Sequence, residues 1–344
     1  HAGLAEALAD QARTLTHTSN LFFHPLQGQL ADRLTKASGL ARAFFSNSGS
    51  EANEACLKFA RRYWVTSGRP ERTEFVAFDH AFGGRTYGAL SVTWDSHYRD
   101  QFQPLVPGVT FVSTGDAAAL DRAVTERTAA IIIEPIQGEG GVRPVSPAFA
   151  AAIEAACART GALLIADEIQ CGTGRTGQMF HFPALGLTPD LVSVAKAIGG
   201  GFPVGAALVS EDVAAAIAYG DHGTTYGGNL MACRAALYVL DQLEGGLLDH
   251  VAAVGPVMEQ GLRAMVQRLG LDAEVRGKGL IWGVDLGREA GAVVTHALAR
   301  GLIVNRTSTS VIRLLPPYVI SEAEIALGLE RLEGALSDFV AAGS

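Results

Sequence analysis

Between residues 41 and 210 the chain repeats one pattern. A short, nearly continuous apolar run rich in β-branched and aromatic residues is followed by a turn, then by a longer stretch with apolar positions every three or four residues. The runs are 41–46, 74–78, 109–112, 130–134, 162–167, 191–195 and 206–210; helical patterns between them include 50–63, 117–125 and 146–160. Strands that are apolar along their whole length must be covered on both faces, and alternation with helices predicts an α/β fold around a mostly parallel central sheet. After Gly245 longer helices surround two short strands, 280–286 and 310–315, which predicts a smaller α+β domain. The expected division is a large domain over 21–245, a small one over 246–344, and an N-terminal segment, 1–20, packed with the small domain. The last helix, 321–340, opens with Ser321-Glu-Ala-Glu, close to a capping box.

Chemically capable residues collect where these strands end. Ser48 to Ser50 follow the first run, His80 to Arg85 the second, Glu134 to Glu139 the fourth, Asp167 to Gln170 the fifth and Lys196 the sixth. In an open α/β sheet the carboxyl ends of the strands form the ligand crevice. One such coincidence carries little, and five point to a common site.

Each motif has a plain reading beside its chemical one. In NSGSEANEA, from Asn47, the backbone N–H groups of Gly49 and Ser50 would open a helix and favour an anion; alternatively, Ser50 is an ordinary N-cap. In LLIADEIQCGTGRTG, from Leu163, Asp167 ends a buried strand and so needs a cationic or hydrogen-bonding partner, unless it only caps a helix or forms an ion pair. Gly172, Gly174 and Gly177 match G-x-G-x-x-G, the mark of a nicotinamide-dependent oxidoreductase, but the sequel QMFHFPALG contains a proline and no prompt helix. These glycines read as a loop. In VSVAKAIGGGFPVGA, from Val192, Lys196 lies between an apolar strand and three glycines. A partly desolvated lysine has its charged form disfavoured, and its free amine forms a Schiff base with an aldehyde; a solvent-facing loop lysine is the alternative.

Composition narrows the field. The 344 residues are 48% hydrophobic and carry a formal net charge of −8, which argues against disorder and against nucleic acid as the partner. No apolar run is long enough for a membrane span, and the first residues lack the design of a signal peptide. Cys56, Cys157, Cys171 and Cys233 are scattered without a CxxC pair, which predicts a reduced cytoplasmic compartment and neither a disulfide framework nor a metal site. Lysine occurs only at 36, 58, 196 and 278, so the one beside the triple glycine stands out.

Taken together, these residues resemble the class III, ornithine-type aminotransferases, pyridoxal 5'-phosphate (PLP) enzymes of fold type I. The resemblance runs from HTSNLFFHPLQ at His17 to VIRLLPPYVI at Val311, with motif order and spacing kept. Within the class, HTSNLFF and SGSEANE are most similar to the acetylornithine or succinylornithine aminotransferases of arginine biosynthesis. The resemblance implies that Lys196 bonds to PLP, Asp167 pairs with its pyridinium nitrogen, Gln170 meets the phenolate oxygen and Phe82 stacks on the ring. Gly49 and Ser50 would hold the phosphate, and Thr225 in HGTTYGGN would reach the phosphate of a neighbouring subunit, implying a homodimer with shared sites and the N-terminal segment near its interface.

On the substrate side the resemblance makes Arg85 and Thr224 contacts of the acylated ornithine and Arg313 the partner of the α-carboxylate of glutamate or 2-oxoglutarate. Glu139 would pair with Arg313 and mask it. The implied reaction moves the terminal amino group of N-acetylornithine or N-succinylornithine to 2-oxoglutarate. The alternatives are another class III ω-aminotransferase, acting on 4-aminobutyrate, ornithine or carrier-bound lysine, and an NAD-dependent oxidoreductase. Three departures stand out. Gly83 occupies a position where relatives carry His, Trp or Tyr, which suggests a wider substrate pocket. Leu230 replaces a proline after GGN, and relatives have some tens of residues before the position of His1.

Overall fold

In a computed structural model, described here over residues 1–342, the strands in chain order are β1 (Arg42–Ser46), β2 (Glu74–Phe78), β3 (Val109–Val112) and β4 (Thr128–Ile133). Two short strands follow, β5 (Ile136–Gln137) and β6 (Arg143–Pro144), and then β7 (Leu163–Asp167), β8 (Leu191–Val194) and β9 (Gly205–Val209). The last hundred residues add β10 (Glu274–Lys278), β11 (Ile281–Asp285), β12 (Asn305–Thr307) and β13 (Val311–Leu314).

Seven strands form one sheet in the order β1-β9-β8-β7-β4-β2-β3. Neighbours from β8 to β3 run parallel, and β9 is antiparallel to both β1 and β8. Every residue of β4, β7, β8 and β9 is buried, which is why these segments read as unbroken apolar runs. The Gly49–Thr66 helix packs on one side through Ala52, Ala55, Cys56, Phe59 and Ala60, at helical spacing. The Pro147–Thr160 helix packs elsewhere on the sheet, where Phe149 meets Phe78 edge to face at 5.4 Å between ring centroids.

The chain divides into two units that are not consecutive in sequence. The larger comprises residues 1–135, 145–173 and 180–244; the smaller comprises 136–144, 174–179 and 245–344. This differs from the division expected from sequence in two ways. The N-terminal segment belongs to the larger unit, where the Ala2–Thr14 helix packs on the Leu230–Gln242 helix. The β5–β6 hairpin belongs to the smaller, because the buried Arg276 of β10 donates to the carbonyls of Gly141 and Val142, each at 3.0 Å. Contacts made far along the chain decide both points, and local pattern does not register them.

The smaller unit is built on an antiparallel sheet, β10-β11-β13-β12. Its core joins Trp282, Val284 and Ile312 to Met258, Leu262 and Met265 of the Leu248–Arg268 helix and Leu332 and Leu336 of the Glu322–Ala342 helix. That last helix opens as its sequence suggests: Ser321 Oγ accepts from the Glu324 N–H, and the Glu324 carboxylate accepts from the Ser321 N–H. Among the described residues no helix is long and apolar enough to cross a membrane.

Candidate active site

The larger unit assembles its site at the ends of β1, β2, β7 and β8. After β1 the backbone turns into the Gly49–Thr66 helix, whose N-cap is Ser48: its hydroxyl accepts from the Glu51 N–H. The cap therefore lies two residues before the Ser50 considered from sequence. Gly49 and Ser50 become the first helical residues, whose N–H groups have no acceptor within the helix and favour an anion. The Ser50 hydroxyl instead accepts from the Arg85 N–H, tying this turn to the 82–86 loop. A β-carbon on Gly49 would lie 2.9 Å from the Ile169 side chain, so glycine is what lets this turn close against the segment after β7.

Asp167 closes β7 with 4% of its surface exposed. Its Oδ2 accepts from Asn53 Nδ2 at 2.7 Å and its Oδ1 from the Ile169 N–H at 3.0 Å. Burial pushes its carboxyl upward, while those bonds, the Lys196 charge and the Ser193 hydroxyl oppose that rise. Gln170 follows on the same turn, half-buried.

Lys196 immediately follows β8 and Ala195, beside β7 in the sheet. Of the two settings open from sequence, a partly desolvated amine or a solvent-facing one, Lys196 has the second: it is exposed. Its φ of 48° lies in the left-handed region, a conformation that costs free energy in a residue with a β-carbon and collects at functional sites. The three glycines that follow relax the return into β9. Gly200 and Gly201 also have positive φ, and a β-carbon on Gly205 would lie 2.3 Å from the Ser48 carbonyl oxygen.

Phe82 and Arg85 follow β2. The Phe82 N–H donates to the buried Glu134 carboxylate at 3.0 Å. The exposed Arg85 lays its guanidinium over the Tyr98 ring at 4.1 Å and near Phe82 at 5.4 Å. Gly83 does not widen a pocket, because a β-carbon there would point at the Ala89 carbonyl oxygen, 2.4 Å away, and at Val92. Its role is close packing of the loop against the Tyr87–Ser91 helix.

Two motifs distant in sequence are joined beside this site. Asn20 donates to the carbonyls of Thr224 and Gly227 at 2.8 and 3.0 Å, and His17 packs on Tyr226 with ring centroids 5.1 Å apart. Thr224 Oγ1 lies 3.4 Å from Asn47 Nδ2, so HTSNLFF, HGTTYGGN and the turn after β1 form one cluster. Thr225 is exposed, as are Leu21, Phe22, Phe23 and Tyr226. Leu230 is buried at the start of the helix capped by Asn229.

The smaller unit holds Arg313 and Glu139. Arg313 on β13 is 8% exposed, and its Nη1 lies 2.8 Å from Glu139 Oε1. The Thr307 hydroxyl donates to the Glu139 carbonyl, and Arg276 fixes the turn behind it. An apolar cavity of about 380 Å³, lined by Met258, Leu302, Leu314, Ile325 and Leu329, reaches Arg313. The 172–177 glycine segment is a succession of turns with no helix directly after it, so the dinucleotide reading has no structural support.

Sequence reasoning passed over Asn53, Tyr98 and Arg276. For Asn53 a signal existed. It occupies the row Asn53, Cys56, Ala60 on the buried face of its helix, where an amide is out of place without a partner. The larger unit thus supplies a helix N-terminus for an anion, an amine, a buried acid for a ring nitrogen and an aromatic face. That donor set fits PLP.

Residues 1–336 match the family described as aminotransferase class-III. The chain is 41% identical over 339 residues to the acetylornithine aminotransferase of Methanocaldococcus jannaschii, covering 98% of this chain and 85% of that protein. Its fold is similar to the N-acetylornithine aminotransferase of Stenotrophomonas maltophilia K279a, with a TM-score of 0.86, 34% identity, and coverage of 99% of this chain and 87% of the other. A PLP-bound amine transaminase from an uncultivated Pseudomonas species gives a TM-score of 0.91 at 32% identity, covering 98% and 87%.

Proposed function

The chain belongs to the class III aminotransferases, and from that premise we propose that it transfers the terminal amino group of an N-acylated ornithine, N-acetylornithine first, to 2-oxoglutarate. The reading is carried by one observation: Asp167, fixed by two donated hydrogen bonds, faces the charge of Lys196 at the next strand end. The identity to acetylornithine aminotransferases supports the choice of donor, and arginine biosynthesis in the cytoplasm is the corresponding setting.

PLP is the cofactor, and when bound it supplies an electron sink for the carbanion formed at the substrate carbon. Lys196 would provide the amine that holds it covalently and, when free, the general base for the proton on the substrate carbon that bears the amino group. Asp167 keeps the ring nitrogen protonated, and Gln170 meets the phenolate oxygen. Phe82 covers one ring face, held in place by the bond from its N–H to Glu134. Gly49 and Ser50 donate main-chain N–H groups to the phosphate.

Arg85 and Thr224 contact the acylated substrate, the former oriented by its stacking on Tyr98. Arg313 takes the carboxylate of 2-oxoglutarate or glutamate, since a planar guanidinium meets a carboxylate through two parallel bonds. Glu139, already paired with it, neutralises Arg313 when the substrate carries no carboxylate there. The enzyme works as a homodimer: exposed Leu21, Phe22, Phe23 and Tyr226 around Thr225 make an apolar surface suited to a second copy, with Thr225 reaching the partner's phosphate.

The test is a panel of amino donors with 2-oxoglutarate, following glutamate. N-acetylornithine should exceed ornithine and 4-aminobutyrate in kcat/KM by at least tenfold. Equal values for 4-aminobutyrate would overturn the substrate assignment, and no glutamate from any donor would overturn the reaction.

A further inference from the structure

Asn53 is fully buried in the first turns of the Gly49–Thr66 helix, and both of its amide hydrogens are committed. One goes to Asp167 Oδ2 and the other to the Gly83 carbonyl, each at 2.7 Å. The amide oxygen, Oδ1, has no hydrogen-bond partner among the described residues. Turning the amide over would not repair this, because its oxygen would then face two acceptors, the Asp167 carboxylate and the Gly83 carbonyl. The side chain therefore has one workable orientation, in which it gives two hydrogen bonds and receives none.

A buried amide with an unpaired oxygen is a poor choice for packing alone, and apolar residues fill the neighbouring positions Ala52, Ala55 and Cys56. What Asn53 contributes is a donor aimed at the carboxylate that ends β7. The same group holds the loop bearing Phe82, since Gly83 is the next residue. A single amide thus links the acid proposed to face the cofactor's ring nitrogen with the loop proposed to cover its ring.

We propose that Asn53 is a positioning residue that keeps the Asp167 carboxylate ionised and fixed in direction while holding in place the loop that carries Phe82. The proposal rests on the reading of Asp167 and Phe82 as cofactor contacts. The titratable groups around Asp167 are Lys196 after β8, Glu168 next in the chain and Cys56 one helical turn beyond Asn53. Lys196 favours the charged carboxylate and Glu168 opposes it when ionised; the thiol, pushed far up by burial, stays neutral. With burial pushing Asp167 toward its neutral form, the amide donor is one of the groups opposing that push.

The experiment compares the parent with Asn53→Leu, which keeps the volume and removes both donors, each in the Asp167 and Asp167→Asn backgrounds. Thermal unfolding of the chain is measured from pH 5 to pH 8. For the PLP-loaded protein, the pH midpoint of the cofactor's visible absorbance and the separate kcat and KM values are recorded. Asn53→Leu should lower the unfolding midpoint more at pH 8 than at pH 5, because the unsupported carboxylate is charged there. That pH dependence should vanish with Asp167→Asn. The absorbance midpoint should move, and kcat should fall at least tenfold with KM changed less than threefold.

A stability loss equal at both pH values and in both backgrounds, with an unmoved absorbance midpoint, would overturn the proposal and leave Asn53 a packing residue. Should the leucine variant not fold, Asn53→Ala reads the same coupling. Failure of the parent reading looks different: Asp167→Asn would then leave the bound cofactor's spectrum and turnover intact, whatever Asn53 does.

Discussion

Replacing Glu168 with glutamine removes a carboxyl group that is fully buried beside the site. Its Oε1 accepts from the N–H groups of His181 and Phe182 at 2.8 and 2.6 Å, and its Oε2 lies 3.3 Å from Cys171 Sγ. These contacts tie the chain where it leaves β7 to where it returns after the 174–179 excursion. Burial is the larger influence, however, and with the neighbouring Asp167 charge it pushes the group from an ordinary 4.5 to about 7 despite its donors. A carboxyl whose folded pKa is raised holds its proton in the native state after the unfolded chain has released it. The stabilisation is complete below 4.5 and is lost as pH rises through 7.

At about 1.36 kcal/mol per pH unit, the interval makes a loss of about 3 kcal/mol in the parent. Glutamine keeps an oxygen for both backbone N–H groups and carries no charge, so Glu168→Gln should escape that loss. Urea unfolding of both proteins at several pH values between 4.5 and 8 reads it directly. The two should be within about 1 kcal/mol of each other at pH 4.5. Glu168→Gln should then gain on the parent, reaching an advantage of about 3 kcal/mol near pH 8. A stability difference constant across this range would refute the reasoning, since it would mean that Glu168 titrates alike in the folded and unfolded chain.

Lys196→Ala should abolish the visible absorbance of covalently held PLP and lower turnover by about 10⁴-fold or more, general acid–base catalysis alone supplying about 10²–10⁴; spectrum and steady-state rate are read on the same sample. Gly205→Ala places a methyl 2.3 Å from the Ser48 carbonyl oxygen. It should cost about 1–3 kcal/mol in unfolding and weaken PLP binding, because β9 and the turn holding Gly49 must part. Glu139→Gln leaves Arg313 without its negative partner. The KM for N-acetylornithine should rise severalfold while that for 2-oxoglutarate stays level or falls, and equal increases in both would count against a masking role.

The strands of the large sheet were legible because parallel strands buried on both faces leave a continuous apolar record, as in LLIAD and TAAIII. Short elements left none. Strands β5 and β6 have two residues each, and the Tyr87–Ser91 helix has five, too few for periodicity to register. Lys196, Asp167 and the turn at Gly49 were found because each ends or follows such a run. Asn53 was not, because its partners, Gly83 and Asp167, lie 30 and 114 residues away. Gly83 shows the opposite failure: an absent side chain suggested open space, and the backbone of the next helix occupies it.

By itself the sequence determined the longer strands and helices of the large sheet, that the reactive residues lie at strand ends, and the family to which the chain is similar. These follow from local pattern and motif spacing, which a linear string carries. The tertiary structure alone decided that residues 136–144 belong with the last hundred and residues 1–20 with the large sheet. It also gave Lys196 its left-handed backbone and its exposure, and joined Asp167 to Gly83 through one amide. Hydrogen bonds and close approaches between distant residues depend on how the elements pack, and that information exists only once the chain has folded.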